Sequence, residues 1–117
     1  MKVNISIETI EQFKELLDEY HTDTESFLKE LPISEKHEIL ALTMMVRSNF
    51  EDFEEAYEAA KNKFLEQGLT EYFMERTKCN WQTLHAELKD VIDIQKRHGW
   101  EWFEVMHSDD NGEDEEE

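Results

Sequence analysis

The chain has 117 residues, with 30 acidic and 12 basic side chains, a formal net charge of −18 and a single cysteine. Charge of this sign repels nucleic acid and anionic lipid and favours basic partners, so direct binding to DNA, RNA or a membrane surface is not expected. One cysteine forms neither an intramolecular disulfide nor a cysteine metal cage, which indicates a reducing compartment.

The N-terminal segment combines a strand pattern with a helix pattern. Val3, Ile5 and Ile7 alternate with polar residues, which predicts a short strand. A capping box at Thr9 begins a helix over about residues 10–20. Each acid of this helix stands two positions before an apolar residue, which is about 200° of rotation around the helix axis. The acids should therefore line the face opposite the core. These acids are Glu8, Glu11, Glu15 and Asp18.

The middle of the chain is predicted to form a short helix and a long one. A capping box over residues 22–25 opens the short helix, and Pro32 ends it. Ser34 is placed to cap the long helix and Gly68 to end it. Spacings of four and three residues alternate along its buried side, which comprises Ile39, Thr43, Val46, Phe50, Phe53, Tyr57, Ala60 and Phe64.

A break within the long helix is the alternative. Ser48 and Glu51 have the spacing of a capping box, which would begin a new helix near them. The apolar spacing continues through this segment without a change of phase. We therefore favour a single, bent helix between Ser34 and Gly68.

The C-terminal third is predicted to hold two more helices and a strand. Residues 69–73 indicate a short helix, and Asn80 is placed to cap a helix over residues 81–98. Basic residues in the last turn and the following Gly99 favour its end there. Its buried face should comprise Trp81, Leu84, Leu88, Val91 and Ile92. The short aromatic segment 100–106 is interpreted as a strand.

These patterns predict a mainly α fold with four to five helices in one acidic domain over residues 1–108. The two terminal strands would pair as a ribbon, because chain termini often lie close together. Residues 109–117 hold seven acids and no apolar residue, so a disordered acidic tail is expected. No segment reaches the roughly 20 apolar residues of a bilayer crossing and no signal peptide is evident, so we expect a cytoplasmic protein.

Spacings typical of catalytic or metal sites are incomplete in this chain. Glu104 and His107 have the Glu-x-x-His spacing of di-metal bundles, but no second copy exists. The segment 109–112 has neither the glycine position nor the length of a calcium loop. Cys79 follows Lys78, which could lower the pKa of its thiol, but no base stands beside it in sequence. We expect no enzymatic activity, no bound metal and no cofactor.

The strongest candidate surface is a second group of acids, Glu51, Asp52, Glu54, Glu55 and Glu58. Like charges three or four residues apart destabilise a helix, and no base intervenes before Lys61. The group is either a solvated helix face or a surface whose carboxylates stand where the phosphates of DNA would. One acid per turn, about 5.4 Å, is sparser than the one charge per roughly 1.7 Å of a duplex. Mimicry would therefore combine this group with the acids of residues 8–18, the tail and a second copy in a homodimer.

In size and acidity the chain resembles small inhibitors encoded by phages and mobile elements, such as anti-restriction and anti-CRISPR DNA mimics. The resemblance is one of type, since no motif matches a particular family. It implies host defence evasion by a protein that occupies the nucleic-acid-binding surface of a basic target, such as a nuclease. The alternative is an adaptor or regulatory subunit that binds its partner through exposed Trp100 and Trp102, with the acids serving solubility.

Overall fold

The computed structural model describes residues 2–19, 24–47, 50–64 and 68–105, and these residues form seven helices and no strand. The helices are α1 (Ile7–Glu19), α2 (Thr24–Glu30), α3 (Ile33–Arg47), α4 (Phe53–Lys63), α5 (Leu69–Cys79), α6 (Trp81–His98) and α7 (Glu101–Glu104). The prediction of a mainly helical fold is confirmed. None of these helices is both long and apolar enough to cross a bilayer.

Helix α3 lies at the centre of the fold. Ten consecutive residues, 36–45, are buried, so every side of this part of the helix is covered. Helices α4, α5 and α6 pack against it, while α1 packs against α6 and α2 against α5. A helix covered on all sides is characteristic of the interior of a domain, and α3 is the core element around which the others assemble.

The prediction of one long helix is wrong, because α3 ends at Arg47 and α4 begins at Phe53. The two helices pack against each other in opposite directions. Nε2 of His37, near the start of α3, lies 2.6 Å from the carbonyl oxygen of Phe64, just past the end of α4. Each helix buries one side against the other, so the apolar periodicity continues across the break. Periodicity records burial and does not show that a helix is continuous.

The prediction of a terminal ribbon is also wrong. Residues 2–6 form no strand, and Glu101–Glu104 is a helical turn. Gly99 adopts a positive φ of 75° at the end of α6, and Phe103 then folds back into the core. The terminal segments do meet, since the amide of Val3 donates to Oε2 of Glu104 at 2.8 Å. A side chain therefore makes the contact that strand pairing was expected to make.

Several helix ends differ from the predictions. The amide of Thr9 donates to Oγ of Ser6 at 3.3 Å, so Ser6 caps α1. Ser34 lies inside α3, and the positive φ of Gly68 precedes α5 and does not end α4. Helix α6 has the bounds predicted for it, but the side chain of Asn80 makes no capping hydrogen bond, so that part of the prediction is wrong. The predicted tail, together with residues 20–23, 48–49 and 106–108 used in other predictions, lies outside the described residues.

Candidate functional site

The acids of residues 51–58 surround the first turn of α4. Asp52 is the N-cap residue, and its Oδ1 accepts the amide of Glu55 at 3.0 Å. Oε1 of Glu55 in turn accepts the amide of Glu51 at 2.6 Å. This reciprocal arrangement is a capping box shifted by one residue, and it satisfies amides that the start of a helix leaves without an acceptor.

The start of a helix is also where negative charge is favourable, because the helix dipole is positive there. The sequence alone suggests that these like charges destabilise a helix interior, whereas the structure places them at a helix start. All are exposed except Asp52, which is half-buried, and Glu58 lies 4.0 Å from Lys61. The five residues Glu51, Asp52, Glu54, Glu55 and Glu58 are called the α4 acidic surface below.

The acids of α1 have a different environment. Glu11 pairs with Lys96 of α6 at 2.9 Å, and Asp18 lies 2.7 Å from Nε2 of His85 on the same helix. Glu8 and Glu15 are exposed. The four residues Glu8, Glu11, Glu15 and Asp18 form the α1 acidic surface, and two of them are held by side chains of α6.

An open groove of about 600 Å³ separates the α1 acidic surface from α6. Lys89 and Lys96 lie on its α6 side, and Lys89 pairs with Asp93 at 3.2 Å. Burial opposes ionisation of Asp18, but the hydrogen bond and charge of His85 and the charge of Lys14 outweigh it and lower the pKa of Asp18. The groove therefore carries both signs of charge, and the negative potential of α1 is partly neutralised.

The C-terminal aromatic residues are packed mainly inward. Phe103 is fully buried, with the ring of Trp100 5.7 Å and that of Trp102 5.0 Å from its centre. Both tryptophans are half-buried. Val105, immediately after α7, is 55% exposed, which makes it the most exposed large apolar residue of the described chain. Only part of the aromatic cluster is therefore open to a partner.

Three charged or polar side chains in the second turn of α3 have buried roles that the sequence analysis missed. Lys36 donates to Oγ1 of Thr70 at 2.7 Å, which holds the start of α5. His37 holds the end of α4 through the carbonyl oxygen of Phe64. Oε1 of Glu38 accepts two amides of the N-terminal segment, from residues 4 and 5, at 2.7 and 3.0 Å. The partners come from distant parts of the chain, so no local pattern in the sequence reveals these contacts.

A buried ion pair joins α5 to α6. Arg76 donates to Oε1 of Glu87 at 2.8 Å, and Arg47 approaches the other carboxylate oxygen at 3.7 Å. Burial lowers the pKa of Arg76, but the hydrogen bond and charge of Glu87 outweigh it, and the pKa is raised above its ordinary value. This pair is part of the helix packing, since Arg76 and Glu87 are both buried.

The one cysteine is a poor nucleophile in this structure. Cys79 is exposed, and its thiol donates to Oε2 of Glu75 at 3.0 Å. The hydrogen bond and charge of Glu75 raise the pKa of the thiol, and Lys78 only partly opposes them. Lys78 does act to lower this pKa, as expected, but the net pKa of the thiol is raised. Across residues 2–19, 24–47, 50–64 and 68–105, no cluster of three or more histidine, cysteine or acidic side chains could hold a metal.

Comparison with known proteins adds no relative to this description. No protein-family model matches the sequence, and no curated protein or solved structure matches the chain significantly.

Proposed function

We propose that this protein is a binding inhibitor that occupies a basic, nucleic-acid-binding surface of another protein. The α4 acidic surface would make the main contact, and the α1 acidic surface would extend it. The target would be a nuclease or another DNA-binding protein, and the inhibitor would be a DNA mimic of the type encoded by phages and mobile elements. Competition with DNA and weakening by salt follow from such a contact.

The density of carboxylates at the start of α4 carries the proposal. Asp52, Glu54, Glu55 and Glu58 lie along about 9 Å of helix axis, or about one carboxylate per 3 Å, at a rise of roughly 1.5 Å per residue. Duplex DNA has one negative charge per roughly 1.7 Å of axis. The local density is therefore closer to that of DNA than one acid per helical turn would be.

The capping hydrogen bonds support the proposal in a second way. Among the described residues, Asp52 and Glu55 are held by backbone amides and not by cations, so their net charge remains available to a partner. A charged group that is already fixed loses little conformational entropy on binding, which favours recognition. On the α1 acidic surface, by contrast, two of the four carboxylates already have a basic side chain beside them, Lys96 or His85.

The aromatic end of the molecule favours a second candidate function. Val105 is exposed beside half-buried Trp100 and Trp102, which gives a small apolar patch. An adaptor or regulatory subunit would bind its partner there, and the acids would serve solubility. Binding of that kind would be indifferent to salt and to DNA.

The test is capture of binding proteins from a bacterial lysate at low salt, followed by elution with a salt gradient and with competing duplex DNA. We expect a DNA-binding protein that both treatments release. The double variant Glu54→Lys/Glu58→Lys should weaken its capture at least tenfold (about 1.4 kcal/mol). Asp52 and Glu55 are left in place because they cap the helix.

The matched control is Glu8→Lys/Glu15→Lys on α1, which changes the net charge by the same amount at two exposed residues. We expect a smaller loss of capture from this variant. Equal losses would show that bulk charge, and not the α4 acidic surface, drives binding. A partner retained in salt and unaffected by either variant would contradict the mimic and favour the adaptor.

A further inference from the structure

A second concave surface is lined by residues of α3, α6 and α7 and is next to the groove between α1 and α6, since Asp93 lines both. It is an open pocket of about 390 Å³. Its floor is apolar and is formed by Met45 and Val46 of α3, Ile94 of α6 and Trp102 of α7. We call it the α6–α7 pocket. A ligand with an apolar portion would cover this surface from water, which is favourable.

Charged side chains of α6 form the rim of the α6–α7 pocket. Asp90 and Asp93 lie on the rim, and Arg97 lies one turn beyond Asp93, in the last turn of the helix. Lys89 already pairs with Asp93 at 3.2 Å. Asp90 is exposed and forms no ion pair within the part of the chain that the structure describes. One end of the rim therefore offers an uncompensated carboxylate, and the other end is positive.

We propose that the α6–α7 pocket receives a single arginine side chain of the basic partner. The aliphatic stem would pack on Met45 and Ile94, and the guanidinium would contact Asp90 and the ring of Trp102. Arg97, at the other end of the rim, would repel the bound cation and weaken its binding. The inference rests on the proposed function, since a basic partner supplies the arginine, and it gives that partner a specific contact in addition to its attraction to the acidic surfaces.

Arginine suits this combination better than lysine does. Its planar guanidinium is more weakly hydrated than an ammonium group and stacks on aromatic faces while it binds a carboxylate. Its three methylene groups cover apolar surface when the charged end reaches the rim. A carboxylate, an aromatic ring and an apolar floor within one pocket therefore match the parts of one arginine side chain.

The test uses a short blocked peptide with one arginine between glycine and serine residues, and a control peptide with neutral citrulline in its place. Titration is followed by the indole N–H signals in nitrogen-15 NMR spectra. We expect the arginine peptide to shift the signal of Trp102, while Trp81 and Trp100 act as internal references. Asp90→Asn should weaken this binding by about threefold, and Arg97→Gln should strengthen it by a similar factor.

Opposite effects of these two variants would support the pocket, because a general loss of structure would not produce them. Equal shifts with the citrulline peptide, no shift of Trp102, or unchanged affinity in Asp90→Asn would each overturn the proposal. The peptide experiment is independent of DNA competition. An arginine-specific response would therefore stand even if the inhibitor proposal failed, and its absence would leave the capture experiment to decide the proposed function by itself.

Discussion

Helices α3 and α4 both have charged residues in their first two turns, yet these two helix starts have opposite roles. Lys36 and Glu38 in α3 are buried and hold other segments of the chain. Glu54 and Glu55 in α4 are exposed. The difference comes from what packs against each helix, since α3 is surrounded and α4 packs with one side only. A run of charged residues in a sequence therefore does not by itself indicate a solvated face.

The two helix starts also use carboxylates in different ways. Glu38 accepts amides of the N-terminal segment, which lies far away in sequence, and thereby fixes Ile5 in the core. Asp52 accepts an amide of its own helix. Loss of the first contact should release a segment with buried apolar surface, whereas loss of the second should loosen one helical turn. The following predictions test this order of importance.

The largest expected effect is that of Glu38→Ala. The amides of Asn4 and Ile5 would lose a buried acceptor, and an unsatisfied buried donor costs about 1–3 kcal/mol. We expect the free energy of unfolding, measured with urea, to fall by about 2–3 kcal/mol. Hydrogen exchange at these two amides should accelerate more than exchange in α6.

Glu38→Gln is the control for this variant, because it keeps an acceptor oxygen and removes the charge. Its loss of stability should be about 1 kcal/mol, since a hydrogen bond to a charged group is stronger than a neutral one. Unchanged exchange at Asn4 and Ile5 in Glu38→Ala would contradict the holding role of this carboxylate.

A smaller effect is expected from Asp52→Ala at the start of α4. Removal of an N-cap side chain costs about 1 kcal/mol, and the first turn of the helix should fray. Urea unfolding gives the loss, and Asp52→Asn should recover most of it because asparagine is an equally good N-cap. Equal losses from alanine and asparagine would indicate that the charge of Asp52, and not its cap hydrogen bond, stabilises α4.

The sequence correctly predicts a helix when the residues that mark its ends and its buried face lie within the helix or directly beside it. Helix α6 was predicted with its observed bounds, because Asn80 and Gly99 flank a regular apolar pattern. The break between α3 and α4 was missed because their facing apolar sides are in phase. Both terminal strands were wrong, since short apolar segments do not distinguish strand from helix.

The same reasoning predicted the candidate surfaces only in part. The acids at the start of α4 were identified as a group, but their capping role depends on the helix beginning at Phe53. The pairing of Glu11 with Lys96 and the burial of Lys36 depend on helix packing. Contacts between distant residues are set by the tertiary fold, which residue spacing along one element does not contain.

The smallest expected effect concerns the charge on Lys36. Burial lowers the pKa of this lysine below its ordinary value of 10.5, and the charge of Glu71 only partly opposes this. At alkaline pH the unfolded lysine therefore binds a proton that the folded one has released. Unfolding then takes up a proton, so this residue makes the free energy of unfolding rise with pH. Lys36→Met should remove that contribution, which develops as the pH rises toward the ordinary lysine pKa of 10.5.

The exposed Lys29 provides a control of opposite sign. Its hydrogen bond to Glu25 and the charge of that residue raise the pKa of Lys29. Its contribution to stability is therefore present below the ordinary pKa of lysine and is lost as the pH rises through the higher folded value. Burial and the charges of Glu38 and Glu58 raise the pKa of Tyr57. The contribution of Tyr57 to the pH dependence of stability is the same in the parent and in both variants. Urea unfolding from neutral pH to above the ordinary lysine pKa of 10.5 should give differences of opposite slope for the two variants, below that pH for Lys36→Met and above it for Lys29→Met. Parallel slopes would mean that Lys36 is hydrated like a surface lysine, which would remove the contrast between the starts of α3 and α4.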